Sequence, residues 1–197
     1  MEEIIVQILS VKYIKKNVDF ILSKISEERI NKANKYQQIN DYYLSIGAAL
    51  LLANNFKDQE IKIHRNGKPY IEGGPYFNIA HSRDYVIFAK SNNREIGVDI
   101  EIIRKEMKKA IHYVLKEEEK VDDLEELFSM WSAKESLTKC LSTGMYDMRK
   151  VPAQPVNGVR LFNDKKYYSQ TMIYKKYSLS VTLEGEEPFF IKIVEVK

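Results

Sequence analysis

Between Gly97 and Glu101 the chain alternates acid and aliphatic residues, Gly97-Val98-Asp99-Ile100-Glu101, and about thirty residues later it reads Trp131-Ser132-Ala133-Lys134-Glu135-Ser136-Leu137-Thr138-Lys139. On a strand, the first stretch sends Asp99 and Glu101 out of one face while Val98 and Ile100 enter a core. Two carboxylates aimed at one spot repel each other and call for a cation. On a helix, Trp131, Glu135 and Lys139 recur every four residues and stack a ring, a carboxylate and an ammonium along one face. A hard divalent ion held by few carboxylates completes its shell with water and substrate phosphate, and a nearby lysine adds charge for the same phosphate. The two stretches together read as an Mg²⁺ site of Asp99, Glu101 and Glu135, with Lys139 beside it, acting on a phosphate ester. Each has a plainer reading when taken alone. Acid alternating with aliphatic is common on a half-exposed strand, and Glu135 with Lys139 is an ordinary i,i+4 pair worth about a few tenths of a kcal/mol.

The rest of the composition narrows the class. A chain of 197 residues, 44% hydrophobic and 30% charged, can bury one large core or two small ones and is neither disordered nor membrane-like. The longest apolar stretch, Ile46 to Ala53, is far too short to span a bilayer. Met1-Glu2-Glu3 carries acid where a secretory signal carries base, so a cytoplasmic location is expected. Cys140 is the only cysteine, which rules out an internal disulfide and suits a reducing compartment. A net charge of +3, spread along the chain, gives no nucleic-acid platform but permits steering toward an acidic protein partner.

In chain order, residues 3–11 form a β-branched run that predicts a buried strand. Ser26 can cap a helix whose first turn holds Glu27 and Glu28. Arg29, Lys32 and Lys35 follow at spacing three, either a cationic edge or a solvated face. Asp41 to Phe56 predicts a core helix in which Gly47 permits close packing. Ile61 to Ile63 is a short strand, Asn66-Gly67 a tight turn before Lys68-Pro69, and Gly73-Gly74-Pro75 a second turn. Phe77 to Ala80 alternates as a strand that delivers His81 and Ser82 to its end, where sites collect. Tyr85–Lys90 and Arg94–Ile102 predict antiparallel neighbours joined at Asn92-Asn93. The polar run Arg104-Lys105-Glu106 predicts a division into residues 1–102 and 103–197. Helices are expected at Lys105–Leu115, at Lys116–Lys120 with Glu117, Glu118 and Glu119 solvated, and at Asp123–Leu141, where Cys140 is a packing residue. Val156–Phe162, Tyr167–Tyr174, Tyr177–Leu183 and Phe189–Val196 then build a second sheet. The class is α+β.

Taken in order, Gly67-Lys68-Pro69-Tyr70, Phe77-Asn78-Ile79-Ala80-His81-Ser82, Gly97 to Glu101 and Trp131 to Lys139 resemble the signature of the 4′-phosphopantetheinyl transferases, of the longer type that activates surfactin synthetase. The resemblance runs from about residue 25 to the C-terminal strands. It implies two similar α+β subdomains in a pseudo-twofold arrangement, with the active site in the cleft between them. It also implies transfer of the 4′-phosphopantetheine arm of coenzyme A to a serine of an acyl or peptidyl carrier protein, with Mg²⁺, by a monomer. Lys68 and Pro69 would lie beside the adenine, His81 and Ser82 at the coenzyme's phosphates, and Lys32 and Lys35 at its 3′-phosphate. Asp99, Glu101 and Glu135 would hold the metal, Glu135 would act as base, and Lys139 would stabilise phosphate charge. The first half would then bring His81, Lys68 and two metal ligands, and the second Glu135 and Lys139. Gly144-Met145 resembles the family's loop after this helix. Two departures touch the 3′-phosphate: Tyr43 and Leu44 stand where the family carries an arginine, and Ala80 where it carries a serine. They predict a weaker dependence on that phosphate. A coenzyme A or nucleotide binding module without catalysis, and an Mg²⁺-dependent phosphohydrolase, are the alternatives.

Overall fold

The computed structural model describes residues 1–57, 59–65, 67–141 and 148–197. The chain opens with β1 (Glu2–Ser10), then α1 (Val11–Lys16), α2 (Val18–Leu22), α3 (Glu27–Ala33) and the long α4 (Ile39–Phe56). The β-branched run stops at Ser10 because its hydroxyl accepts from the Tyr13 amide and caps α1. Ser26 caps α3 in the same way, as its sequence predicts. A short hairpin, β2 (Lys62–Ile63) with β3 (Pro69–Tyr70), leads to β4 (Tyr76–Ser82), β5 (Tyr85–Ser91) and β6 (Ile96–Ile102). Asn66 and Gly144-Met145, read above as a turn and a loop, lie outside the described residues.

After β6 come a 3-10 turn at Lys105–Met107, α5 (Lys108–Val114), a second 3-10 turn at Glu117–Glu119, and α6 (Leu124–Cys140), capped by Asp123. The chain ends in β7 (Gly158–Phe162), β8 (Lys165–Tyr174), β9 (Tyr177–Glu184) and β10 (Phe189–Glu195). One four-stranded sheet has the order β10-β1-β5-β4 and the other β6-β9-β8-β7. Val6, Ile8, Ile87 and Ala89 of the first share an apolar cluster with Val98, Ile100, Leu179 and Val181 of the second. On its outer face the first sheet packs Leu9, Val86 and Phe88 against Leu44, Leu50 and Leu51 of α4. The outer face of the second carries α6. Layers of helix, sheet, sheet and helix result, in the α+β class. No helix among the described residues is long and apolar enough to cross a membrane.

Three expectations about the fold need correction. β5 and β6 are not a hairpin: β6 pairs antiparallel with β9, and the Asn92–Glu95 link carries the chain from one sheet to the other. β10 does not extend the second sheet but lies parallel to β1 in the first. Each half of the sequence therefore lends its last strand to the other sheet, so a cut at residue 102 is not a boundary between sheets. Finally, Glu119 is not solvated. It is buried, and it accepts from the Lys116 and Ala153 amides and pairs with Lys134. Gly47 behaves as read, since a Cβ there would stand 2.5 Å from Ile14 Cδ1 where α1 crosses α4.

Candidate active site

The site forms at the seam where edge strands β4 and β6 run side by side without a backbone ladder. Asn78 Oδ1 accepts the Val98 amide at 2.9 Å and Ser82 Oγ the Ile102 amide at 3.2 Å, so two side chains stand in for strand carbonyls. That bridging brings His81 and Ser82 of one sheet beside Asp99 and Glu101 of the other. The alternation along β6 puts Val98 and Ile100 between the sheets and turns Asp99 and Glu101 toward α6. Gly97 lets the helix come close: a Cβ there would lie 2.0 Å from the Ser136 carbonyl oxygen and 2.3 Å from the Cys140 nitrogen. Beneath α6 the contact is polar, with the Ser136 hydroxyl bonded to those of Ser180 at 2.9 Å and Thr182 at 2.7 Å.

At the centre is Lys139. Its Nζ donates to Asp99 Oδ1 at 2.6 Å and lies 3.9 Å from Glu135 Oε2. Glu101 Oε2 accepts the Ser82 hydroxyl at 3.0 Å. Burial, and then the charge of Asp99, pushes the Glu101 carboxyl up from 4.5 to about 7, although Ser82 and Lys139 pull the other way. Burial also raises Glu135, with Lys139 opposing. His81 is held below its ordinary value by burial and by the Lys139 ammonium, against the pull of Asp41 and Asp99, so its imidazole is neutral at pH 7. Three carboxylates thus share one ammonium, and Asp99 Oδ2 is buried with no hydrogen-bond partner among the described residues.

That donor set fits a divalent cation: an orphaned buried oxygen and two carboxyls raised by burial are what a missing positive charge would relieve. Among the described residues no group of three His, Cys, Asp or Glu is arranged to hold a metal ion. The Lys139 ammonium lies between Asp99 and Glu135 instead.

The other predicted residues have these surroundings. Ser82, expected at the coenzyme's phosphates, is buried with its hydroxyl engaged by Glu101 and by Ile102; it orients Glu101. Lys68 is not a solvent lysine: it gives its ammonium to Glu95 Oε2 at 2.8 Å and to the Ile96 carbonyl at 3.0 Å. Pro69 pairs with Ile63 across β2 and β3. Lys32, in the last turn of α3, and Lys35, just beyond it, are exposed. Residues of both halves of the sequence meet at this site. Asp99, Glu101, Glu135 and Lys139 all belong to one unit of β6 and α6, and it is His81 and Ser82 that cross from the other sheet.

Sequence reasoning missed Asn78, Asp41 and the role of Lys134. A polar residue on an inward strand position was the available signal for Asn78. Lys134 is fully buried: it donates to the Val151 carbonyl at 2.6 Å and the Met148 carbonyl at 3.0 Å, and pairs with Glu119 at 2.9 Å. It ties α6 to the segment before β7. Cys140 is a packing residue as read; burial pushes its thiol up to about 12.

Residues 95–183, which carry Asp99, Glu101, Glu135 and Lys139, match the family model of the 4′-phosphopantetheinyl transferase superfamily. The 4′-phosphopantetheinyl transferase gsp of Aneurinibacillus migulanus is 29% identical over 174 residues, covering 80% of this chain and 69% of that protein. Over residues 95–183 the chain is similar to the 4′-phosphopantetheinyl transferase superfamily. A second relative, slr0495 of Synechocystis sp. (strain PCC 6803 / Kazusa), carries the same transferase name provisionally and is 28% identical over 145 residues. That match covers 61% of this chain and 58% of the Synechocystis protein, so the chain spans less than two thirds of its length. The matched stretch runs from the start of β6 through β9, so this family's region coincides with the sheet and helix that hold the acids.

Proposed function

We propose that this chain transfers the 4′-phosphopantetheine arm of coenzyme A to a serine of an acyl or peptidyl carrier protein, releasing adenosine 3′,5′-bisphosphate in an Mg²⁺-dependent reaction. The observation that carries this reading is the buried Asp99 Oδ2, unpartnered among the described residues in a group of three carboxylates that share only Lys139, in a chain whose residues 95–183 match this superfamily.

Asp99, Glu101 and Glu135 would hold Mg²⁺. Bound there, the ion supplies charge neutralisation to the pyrophosphate of the substrate. Lys139, already beside the acids, can turn from Asp99 toward the phosphate that departs and stabilise its growing charge. The neutral His81 imidazole gives a hydrogen bond to the same pyrophosphate. The carrier serine oxygen forms a bond to the phosphorus bearing the pantetheine arm. The bond from that phosphorus to the bridging oxygen breaks, and its electron pair leaves with the adenosine bisphosphate. Glu135, whose carboxyl burial has raised, takes the serine proton. Ser82 fixes Glu101 so that the seam between the sheets keeps the acids in place. The chain would act as a monomer in the cytoplasm, a reducing compartment that suits its single, buried, protonated thiol.

Alanine at Asp99 or Glu135 tests this. Each variant should lose transfer while keeping wild-type circular dichroism. Mg²⁺ should raise the melting temperature of the wild-type protein and not of Asp99→Ala. A fully active Asp99→Ala would refute the assignment, and cleavage of coenzyme A with no carrier present would move it to a phosphohydrolase.

A further inference from the structure

One well-formed concavity shares no lining residue with the acidic site. It is a cleft of about 1120 Å³ at the end of the sandwich where β1 passes into α1, where β8 turns into β9, and where β10 ends. Its floor is apolar, with Ile8, Val11 and Val196, and its walls carry the rings of Tyr13, Tyr85 and Tyr177. Around the rim stand Lys12, Lys15 and Lys16 of α1 and Lys175 and Lys176 of the β8–β9 turn.

The acids in this lining are already matched. Asp84 accepts the Tyr177 hydroxyl at 2.6 Å and lies 3.7 Å from Lys176. Glu195 accepts from Lys175 at 3.1 Å and from the Tyr174 hydroxyl. Lys12, Lys15 and Lys16 have no ion pair among the described residues; Lys15 lies over the Tyr43 ring at 5.2 Å. Lys12 with Lys15 and Lys12 with Lys16 are i,i+3 and i,i+4 neighbours, so like charges are held together on one short helix, which is unfavourable without a counter-ion. Lys175 also donates to the Tyr85 hydroxyl oxygen at 3.2 Å, which leaves the Tyr85 proton as a further donor.

We infer that this cleft is a binding site for a small anion bearing two or more phosphates, separate from the transfer site. Lysine ammoniums are point-charge donors suited to phosphate. Surplus charge over a concave wall concentrates the field on one spot. The volume suits a small molecule with an organic part, for which the tyrosine rings offer faces. Only the turn at Arg83 and Asp84, held by Asn40 Nδ2 on the Arg83 carbonyl at 2.9 Å, separates the cleft from His81 and Ser82.

The test is calorimetric titration of the full chain with inorganic tripolyphosphate and, separately, with ATP, at low salt with EDTA. One anion should bind per chain, and binding should persist in Lys139→Ala, which removes the ammonium of the transfer site. Lys12→Glu with Lys16→Glu should weaken it at least about tenfold, since two attractive charges become repulsive. Lys15→Ala, a milder change, should weaken it less. Equal binding of the two probes would assign the site to the phosphates alone, and tighter ATP binding would add the rings; both support the site. No binding at about 1 mM of either probe, binding lost in Lys139→Ala but untouched in the double variant, or binding of oligoglutamate in place of both probes would overturn it.

Discussion

Replacing Glu101 with glutamine should stabilise the metal-free protein, by an amount that grows as the pH rises from about 4.5 to about 7 and is full above that. Its carboxyl ordinarily titrates at 4.5 and is pushed to about 7 by burial and by Asp99. At about 1.4 kcal/mol for each tenfold step, that interval makes an ionised Glu101 cost about 3 kcal/mol of folding stability. Screening along its partly exposed edge reduces the expected gain on removing the charge to about 2 kcal/mol. The sign follows from the raised carboxyl. Below about pH 4.5 the group is protonated whether the chain is folded or not, and its contribution is fully present; that contribution is lost as the pH rises through about 7. Glutamine is neutral throughout, and its Oε1 can still accept the Ser82 hydroxyl. Urea unfolding in EDTA should therefore show the variant about 2 kcal/mol more stable at pH 8, a melting difference of about 4–8 °C for a chain of this size. At pH 4.5 the difference should shrink to about a few tenths of a kcal/mol. Adding Mg²⁺ at pH 8 should stabilise the wild-type protein and shrink the advantage. Equal stability at both pH values, or a variant less stable than wild type at pH 8 in EDTA, would refute the reasoning.

Gly97→Ala should cost about 3 kcal/mol in urea unfolding and abolish transfer, because its methyl meets the α6 backbone at Ser136 and Cys140 and pushes the acids apart. Lys134→Ala should cost about 3–5 kcal/mol by leaving the Glu119 carboxylate buried and unpaired, and the double variant with Glu119→Gln should lose less than the sum of the two single losses. With Tyr43 and Ala80 in place of the family's arginine and serine, dephospho-coenzyme A should lose less kcat/KM relative to coenzyme A than it does with a member carrying both donors; an equal loss would count against this.

What the sequence showed well was local. The period of two along Gly97 to Glu101 and the period of four from Trp131 to Lys139 state which residues share a face, and both faces form as read. Neither period states a neighbour. Alternation says that β6 has an inner face but not that β9 rather than β5 lies beside it, and for the same reason β10 reads like any other C-terminal strand. Long-range polar contacts were hidden too. Lys134 and Lys139 look alike in the sequence, yet one is sealed against Glu119 and two carbonyls while the other faces the acids. Lys68 could not show its partner, because Glu95, twenty-seven residues on, comes within reach of its ammonium only in the folded chain. Ser82 belongs to the motif, but its hydroxyl is spent on Glu101 and Ile102, across a seam that exists only in three dimensions.

The most direct test of the central claim is the intact mass of a small apo carrier protein after incubation with this protein, coenzyme A and Mg²⁺, beside a control in EDTA. The account predicts a gain of one phosphopantetheine on the carrier, absent with EDTA and absent with Asp99→Ala. No gain with several carriers, while coenzyme A still binds, would contradict it and leave a binding module in place of a transferase.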